Sequence, residues 1–467
     1  VASTATPLIT VCPADRGGWH VRLTIDARVI TSDYYTDWHR VERRKAMLEA
    51  QLATSRRPAA TVTALIVALA LLPGSLLAQA AQEATPGLPA EPRLLRRAMT
   101  VIGQMKTDDG RSSEGFYIET GQMITGAGWI SGGPGYRVRL FGEAVQVDAS
   151  AAVSWRLYKA AQLRVEIPTL VRGRLTAGGQ VLWRDMTQVS YFGTGPQSLE
   201  SRRSDYRIQA SNVIGYAVVR PREPWSLTGA AGWLSRPSLS SSTGPFDRDV
   251  PDTTREFADD GAVSAGRQPG FFHGELSLVY DTRNHPGHST AGGLYRGAWA
   301  RYRDRHDATY SFGRYELEGA RFVPLASGRL VIAMHGLGVF STSKASRSIP
   351  FYLLPSLGGN NTLRGYADYR FHDRHLIAAN LESRFPLLTH VDGALFFDAG
   401  NVAGKVTELS LAHTSYGAGL RLHTGTSTVA RLDVARSHEG WRLNFRLSDS
   451  LRLARVSRRH AAIPFVP

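Results

Sequence analysis

Trp441-Arg442-Leu443-Asn444-Phe445-Arg446-Leu447-Ser448 reads as one strand with two unlike faces. Successive side chains of an extended chain point to opposite sides. Trp441, Leu443, Phe445 and Leu447 therefore fall on one face, and Arg442, Asn444, Arg446 and Ser448 on the other. The same period of two recurs upstream. In 430–434, Arg431 and Asp433 share a polar face. Around 417–423, Ala418, Leu420 and Leu422 oppose Gly419, Arg421 and His423. Around 376–385, Ile377, Ala379, Leu381 and Phe385 oppose Asn380, Glu382 and Arg384.

Further alternating runs begin near Tyr136, Leu163, Val181, Tyr206, Trp225, His273, Tyr295, Tyr310 and Leu330. Turn clusters separate them, among them Ser131-Gly132-Gly133-Pro134-Gly135, Gly193-Thr194-Gly195-Pro196 and Arg283-Asn284-His285-Pro286-Gly287. The glycines of 126–135 lie between strands with no Lys-Ser/Thr after them, so they read as a turn and not a phosphate cradle. From residue 113 onward no helical periodicity is sustained, and the pattern accommodates about 14 to 16 strands. The polar stretch 236–269 reads as a loop.

The composition sets bounds. The 467 residues are 43% hydrophobic and 20% charged, which excludes wholesale disorder. One cysteine, Cys12, excludes an intramolecular disulfide, a Cys-rich zinc site and an iron–sulfur cluster. A mean hydropathy of −0.20 argues against a bundle of membrane helices but not against a membrane barrel, whose strands are apolar on one face only. The net charge of +15 comes from arginines spread along strands and loops. They suit a polar lumen or lipid phosphates at a rim, and no nucleic-acid module is expected.

One long apolar run exists, Val62 to Leu72. It follows Arg56-Arg57, is broken by Pro73-Gly74, and precedes Ala78-Gln79-Ala80. At about 11 residues it is short of the ~20 needed to span a bilayer as a helix, and its layout is that of a secretory signal peptide. The expected organisation is a signal peptide over 47–80 and a short periplasmic segment over 81–112, either a tail or a short helix. A barrel over 113–451 and a basic tail over 452–467 follow. Residues 1–46, upstream of Met47, are expected to be a start-site artefact or a disordered extension.

A soluble sandwich or propeller also alternates. An export signal, the number of strands and the lack of a blade-length repeat favour instead a transmembrane antiparallel β-barrel of the outer-membrane type. Trp129, Trp183, Trp225, Trp299 and Trp441 are candidates for interface girdles.

Three segments carry the remaining information. The first is the loop Leu353-Leu354-Pro355-Ser356-Leu357-Gly358-Gly359-Asn360-Asn361-Thr362-Leu363-Arg364-Gly365-Tyr366, too polar and Gly-rich in its middle for lipid. The second is the strand bearing Glu382. The third is Phe396-Phe397-Asp398-Ala399-Gly400, in which Phe396, Asp398 and Gly400 share a face. Two carboxylates facing a barrel interior need cationic partners. Arg364 offers a guanidinium fork, and Gly365 and Gly400 allow close backbone approach.

Together, the Leu363-Arg364-Gly365-Tyr366 loop, the Asn380-Leu381-Glu382-Ser383-Arg384 strand and the Phe-x-Asp-x-Gly strand resemble the BamA/TamA outer-membrane assembly family. Its barrel is also called the bacterial surface antigen domain. Tyr280-Asp281-Thr282-Arg283 and Leu432-Asp433-Val434-Ala435-Arg436-Ser437-His438-Glu439-Gly440 fit the same pattern. The resemblance is strong over 270–450 and weaker over 113–269. It implies a barrel of 16 strands in the bacterial outer membrane, with the Arg-Gly-Tyr loop tucked into the lumen and Arg364 paired with Glu382 and Asp398. The implied work is insertion or translocation of proteins, with lipids as a further cargo; the implied partners are outer-membrane lipids and unfolded outer-membrane client proteins.

The sequence departs from the family in two places. The about 35 residues between Ala80 and Gly115 leave no room for a polypeptide-transport-associated domain. Past Leu451 comes a basic tail in which Phe465 belongs to no alternating run. The alternative reading is a passive pore or surface antigen. No enzyme is expected, since no Gly-x-Ser-x-Gly or comparable nucleophile setting appears. No cofactor is implied. The histidines are scattered, with His285, His288, His372 and His375 near turns, and no metal site is expected. The sequence leaves the oligomeric state open.

Overall fold

The computed structural model describes residues 8–14, 18–25, 28–38, 41–42, 45, 88–89, 91–105, 114–120, 130–247, 249–259, 263, 268–306, 309–343 and 349–447. The expected signal peptide, the basic tail and Trp129 lie outside the described residues. Two compact units are present, Val1–Pro73 and Gly74–Pro467.

The first unit holds an antiparallel meander of β1 (Leu8–Pro13), β2 (Trp19–Ile25) and β3 (Arg28–Tyr35). Val21 and Val41 are buried, and Ile9, Val11, Trp19 and Tyr35 pack against them. The expectation of a disordered extension over 1–46 is corrected for this stretch. Alternating residues of β1 and β2 give it a small apolar core, too short a pattern to stand out in the sequence.

The second unit begins with helix α1 (Arg93–Met105), which answers the choice between tail and helix. Then come β4 (Gly115–Thr120), β5 (Ser131–Leu140), β6 (Val145–Ser154), β7 (Lys159–Leu170), β8 (Leu175–Tyr191) and β9 (Ser204–Val219). They are followed by β10 (Trp225–Leu234), β11 (Ser238–Ser241), β12 (Phe271–Asp281), β13 (Gly292–Asp304), β14 (Phe312–Leu325) and β15 (Leu330–Ser343). Two short strands, β16 (Ser356–Leu357) and β17 (Phe371–His372), pair only with each other. The wall resumes with β18 (His375–Leu388), β19 (Val391–Ala403), β20 (His413–His423), β21 (Thr428–Ser437) and β22 (Gly440–Arg446).

Among the described residues, β4–β15 and β18–β22 form one closed antiparallel barrel in chain order. β10 and β11 both pair with β9 and lie in line along it, so they are one interrupted stave. Among the described residues the barrel thus has 16 staves, the number that the family resemblance implies.

Parity along the staves matches the sequence pattern, with the apolar face turned outward. Leu276 and Leu278 on β12, Tyr315 and Leu317 on β14, Leu395 and Phe397 on β19, and Trp441 and Leu443 on β22 are exposed. Trp183, Trp225 and Trp299 join them. Their inward neighbours, including Arg314, Glu316, Glu382, Asp398 and Arg421, are buried. Such an arrangement inverts a soluble protein and fits a wall solvated by lipid.

The chain between β15 and β18 fills the lumen, anchored on two unlike surfaces. Its first part, Ile349 to Leu354, joins an aromatic cluster with Tyr158, Tyr191, Tyr206, Phe271, Tyr302 and Phe312. The Phe351 ring lies 5.1 Å from Tyr191 and 5.0 Å from Tyr206. Its later part reaches the charged inner face of β18 to β22.

Candidate functional site

Period-two geometry puts Glu382 of β18, Asp398 of β19, Arg421 of β20 and Asp433 of β21 on the lumen face, where each is fully buried. Four neighbouring staves thus turn three carboxylates and one guanidinium into the lumen. Arg364 enters from the loop and is 2% exposed. Its Nε and Nη2 donate to the two oxygens of Asp398 at 3.0 and 2.7 Å, a two-pronged contact. Its Nη1 donates to Glu382 Oε2 at 2.5 Å. Its backbone N–H also donates to Asp398, at 3.1 Å. The guanidinium centre lies 3.5 Å from the centroid of the Phe396 ring, adding a cation–π contact.

The carboxylates are shared further. Arg384 Nε donates to Glu382 Oε1 at 2.8 Å, and Arg421 Nη2 to Glu382 Oε2 at 2.8 Å. Arg421 Nη1 donates to Asp433 Oδ1 at 2.6 Å, and Arg431 lies 3.7 Å from the other Asp433 oxygen. Asn380 and Ser415 complete the shell of Asp398 at 2.9 and 3.3 Å. Buried charge on this scale is sustained only by such mutual pairing.

The flanking motif residues fix the loop backbone. The Gly365 N–H donates to Ser415 Oγ at 3.2 Å, and Ser437 Oγ donates to the Gly365 carbonyl at 2.7 Å. A Cβ on Gly365 would stand 2.6 Å from Ser415 Cβ and 2.9 Å from Ser437 Cβ, so only glycine fits without displacement. Gly400 gives Leu357 its seat, since a Cβ there would come 3.1 Å from a Leu357 methyl. Leu363 is buried in a cluster with Leu357, Phe371 and Val402. The Tyr366 hydroxyl donates to the Thr414 carbonyl at 3.3 Å and lies 2.8 Å from His438 Nδ1. Farther along, Arg370 Nε donates to Glu439 at 2.7 Å, and its Nη1 donates to Ser198 Oγ at 2.8 Å.

All eight residues singled out from the sequence therefore lie in or against one buried cluster. Sequence reasoning placed Arg384, Arg421, Arg431 and Asp433 on polar faces but did not bring them into the cluster. Their signal was parity alone: each occupies an inward position, Arg384 on the stave of Glu382 and the others on β20 and β21.

The loop also touches the last stave. Asn444 Nδ2 of β22 donates to the Arg364 carbonyl at 2.8 Å. Beyond β22 the ring closes on β4. This junction of the last stave with the first is the seam of the ring. Phe116 and Ile118 on β4 are 86% and 79% exposed, against 55% for Leu395 in mid-wall.

A family model described as the Omp85 superfamily domain matches residues 139–448. The chain belongs to the Omp85 superfamily. One solved structure agrees on the fold, and two others show weaker similarity. BamA from Haemophilus ducreyi lacking POTRA domains 1–3 matches with a TM-score of 0.54 at 13% identity, covering 95% of this chain and 88% of that one. CdiB from Acinetobacter baumannii matches at 0.43 and 12% identity, over 71% of this chain and 58% of that one. CdiB from Escherichia coli matches at 0.45 and 14%, over 71% and 60%. The search of curated proteins found no match. This Omp85 chain is an outer-membrane β-barrel.

Proposed function

We propose that this Omp85 barrel assists insertion or translocation of other proteins at the outer membrane, and that unfolded outer-membrane proteins are its clients. The observation that carries this reading is the position of the braced loop. Arg364 is locked to β18 and β19 through its side chain, while its carbonyl holds Asn444 on β22. The loop therefore stiffens the wall up to the stave that borders the seam. When the seam opens, its strand edges offer N–H and C=O groups to an incoming strand, and a braced wall keeps one edge in place while the other yields. In this reading the buried charges serve structure and gating, not catalysis.

The test is site-specific photo-crosslinking in the native membrane. A photoreactive residue replaces Phe116 on β4 or Leu443 on β22, with Leu395 on β19 as the mid-wall control. Adducts to newly made outer-membrane proteins at the two seam positions, and not at 395, support the proposal. Equal labelling at all three sites, or no protein adducts together with steady ion conductance, returns the passive-pore reading. Adducts to lipid alone move the cargo from protein to lipid.

A further inference from the structure

Two histidines and an aspartate far apart in the sequence converge at the short-turn end of the barrel, the end that faces the periplasm in outer-membrane barrels. The turn between β12 and β13 does not stay on its own side. Its Gly287 carbonyl accepts the Thr428 N–H at 2.9 Å, and Gly287 bridges Ser427 in the turn between β20 and β21. Staves β14, β15, β18 and β19 separate these turns along the wall, so the β12–β13 turn forms a strap across the mouth.

Where the strap lands, His288 meets Asp392 and His423. His288 Nε2 lies 3.3 Å from Asp392 Oδ2, and His423 Nε2 lies 3.3 Å from Asp392 Oδ1. The imidazoles stack face to face, with centroids 4.1 Å apart and planes within 6°. One donor atom from each residue lies within 4.8 Å of the other two, and all three residues are buried. His423 Nε2 has no hydrogen bond of acceptable geometry, although it is buried and aimed at the carboxylate. A buried donor atom left in that state is costly in a finished hydrogen-bond network.

The geometry points to a binding site for a first-row divalent cation, zinc foremost, held by His288 Nε2, His423 Nε2 and the Asp392 carboxylate. Two imidazoles and one carboxylate are a donor set for such ions and a poor one for calcium or magnesium, which take oxygen ligands. Two donors on a tetrahedral ion with bonds of ~2.1 Å stand about 3.4 Å apart, close to the two nitrogen–oxygen separations. His288 Nδ1 lies 3.0 Å from Thr428 Oγ1, the outer contact that orients a ligating imidazole. His423 Nδ1 accepts the Gly425 N–H at 3.1 Å. Binding through Nε2 puts the proton on Nδ1, so that contact is given up, the 424–427 turn shifts, and the stacked rings tip together at their Nε2 edges. The bound ion would staple the strap to the far wall.

The test uses the purified full chain in detergent, stripped of metal and titrated with zinc by calorimetry, then with cobalt by visible absorption. The wild type is expected to take up one zinc per chain, to show the cobalt band of a four-coordinate site, and to resist heat unfolding better with zinc than without. His423→Gln and the double variant His288→Gln/His423→Gln should weaken zinc binding about tenfold or more. Retained heat-modifiable migration on gels shows that each variant still forms the barrel. Should a variant fail that control, competition of zinc against magnesium and calcium on the wild type decides. Failure to bind zinc stoichiometrically, uptake unchanged in the folded double variant, or displacement of zinc by magnesium or calcium at equal concentration would overturn the assignment.

Discussion

The lumen loop is one segment held by two different kinds of force. At Ile349–Leu354 it is an apolar plug, with Phe351 among Tyr191, Tyr206 and Tyr352. At Asn360–Tyr366 it is a polar key, with Arg364 forked onto Asp398 and Glu382 and the Asn360 carbonyl accepting from Arg431. The aromatic anchor is non-directional and tolerates small shifts. The ionic anchor has fixed geometry and leaves expensive orphans when one partner goes. A loop tied in both ways has its depth set by burial and its register set by charge.

Breaking the ionic anchor should have the largest effect. In Arg364→Ala, Glu382 keeps Arg384 and Arg421, whereas Asp398 keeps no cation, only Asn380, Ser415 and the backbone N–H of residue 364. The cost is set by that stranded carboxylate and is about 3–5 kcal/mol, as for one partner of a buried pair. Planar-bilayer recordings of the purified chain should turn from near-silent to noisy, with larger openings. Arg364→Lys should rescue charge but not the two-pronged contact, leaving an intermediate record. A quiet, unaltered trace from Arg364→Ala would mean that the aromatic anchor alone holds the loop.

Breaking the aromatic anchor is the complementary experiment. Phe351→Ala empties a fully packed site and should cost about 3 kcal/mol of thermal stability. Because the Arg364 contacts stay, conductance should change less than in Arg364→Ala. Equal noise in both variants would erase the distinction between the anchors.

How far each anchor was legible in the sequence follows from the physics. The charged one was, because parity exposes buried carboxylates: Glu382 and Asp398 stand at inward positions of strands whose other face is plainly apolar. The aromatic one was not. Phe351-Tyr352-Leu353-Leu354 has no period of two or 3.6, and its partners come from staves far away in sequence. The wall shows the same divide. Staves such as β20 and β22 announce themselves by large residues on one side. β6, rich in Ala and Ser, and the two-residue strands β16 and β17 carry too little contrast to read. Meeting points across the lumen, such as His288 with His423, leave no local pattern at all.

The smallest expected effect lies at the root of the loop and separates the anchors by pH. His372 on β17 sits between the rings of Tyr191 and Tyr369, and its carbonyl accepts the Gly195 N–H at 2.7 Å. Burial pushes its imidazole down to about 3, while an unfolded histidine titrates near ~6.5. The unfolded chain therefore binds the proton first as pH falls. The contribution of His372 is complete above about 6.5 and is lost progressively toward 3. Unfolding measured from pH 7.5 to 4.5 should show stability declining with acid, and His372→Gln should flatten part of that slope. If the slope is unchanged in His372→Gln yet vanishes in Arg364→Ala, acid acts on the ionic anchor, and the aromatic side of the loop is indifferent to pH.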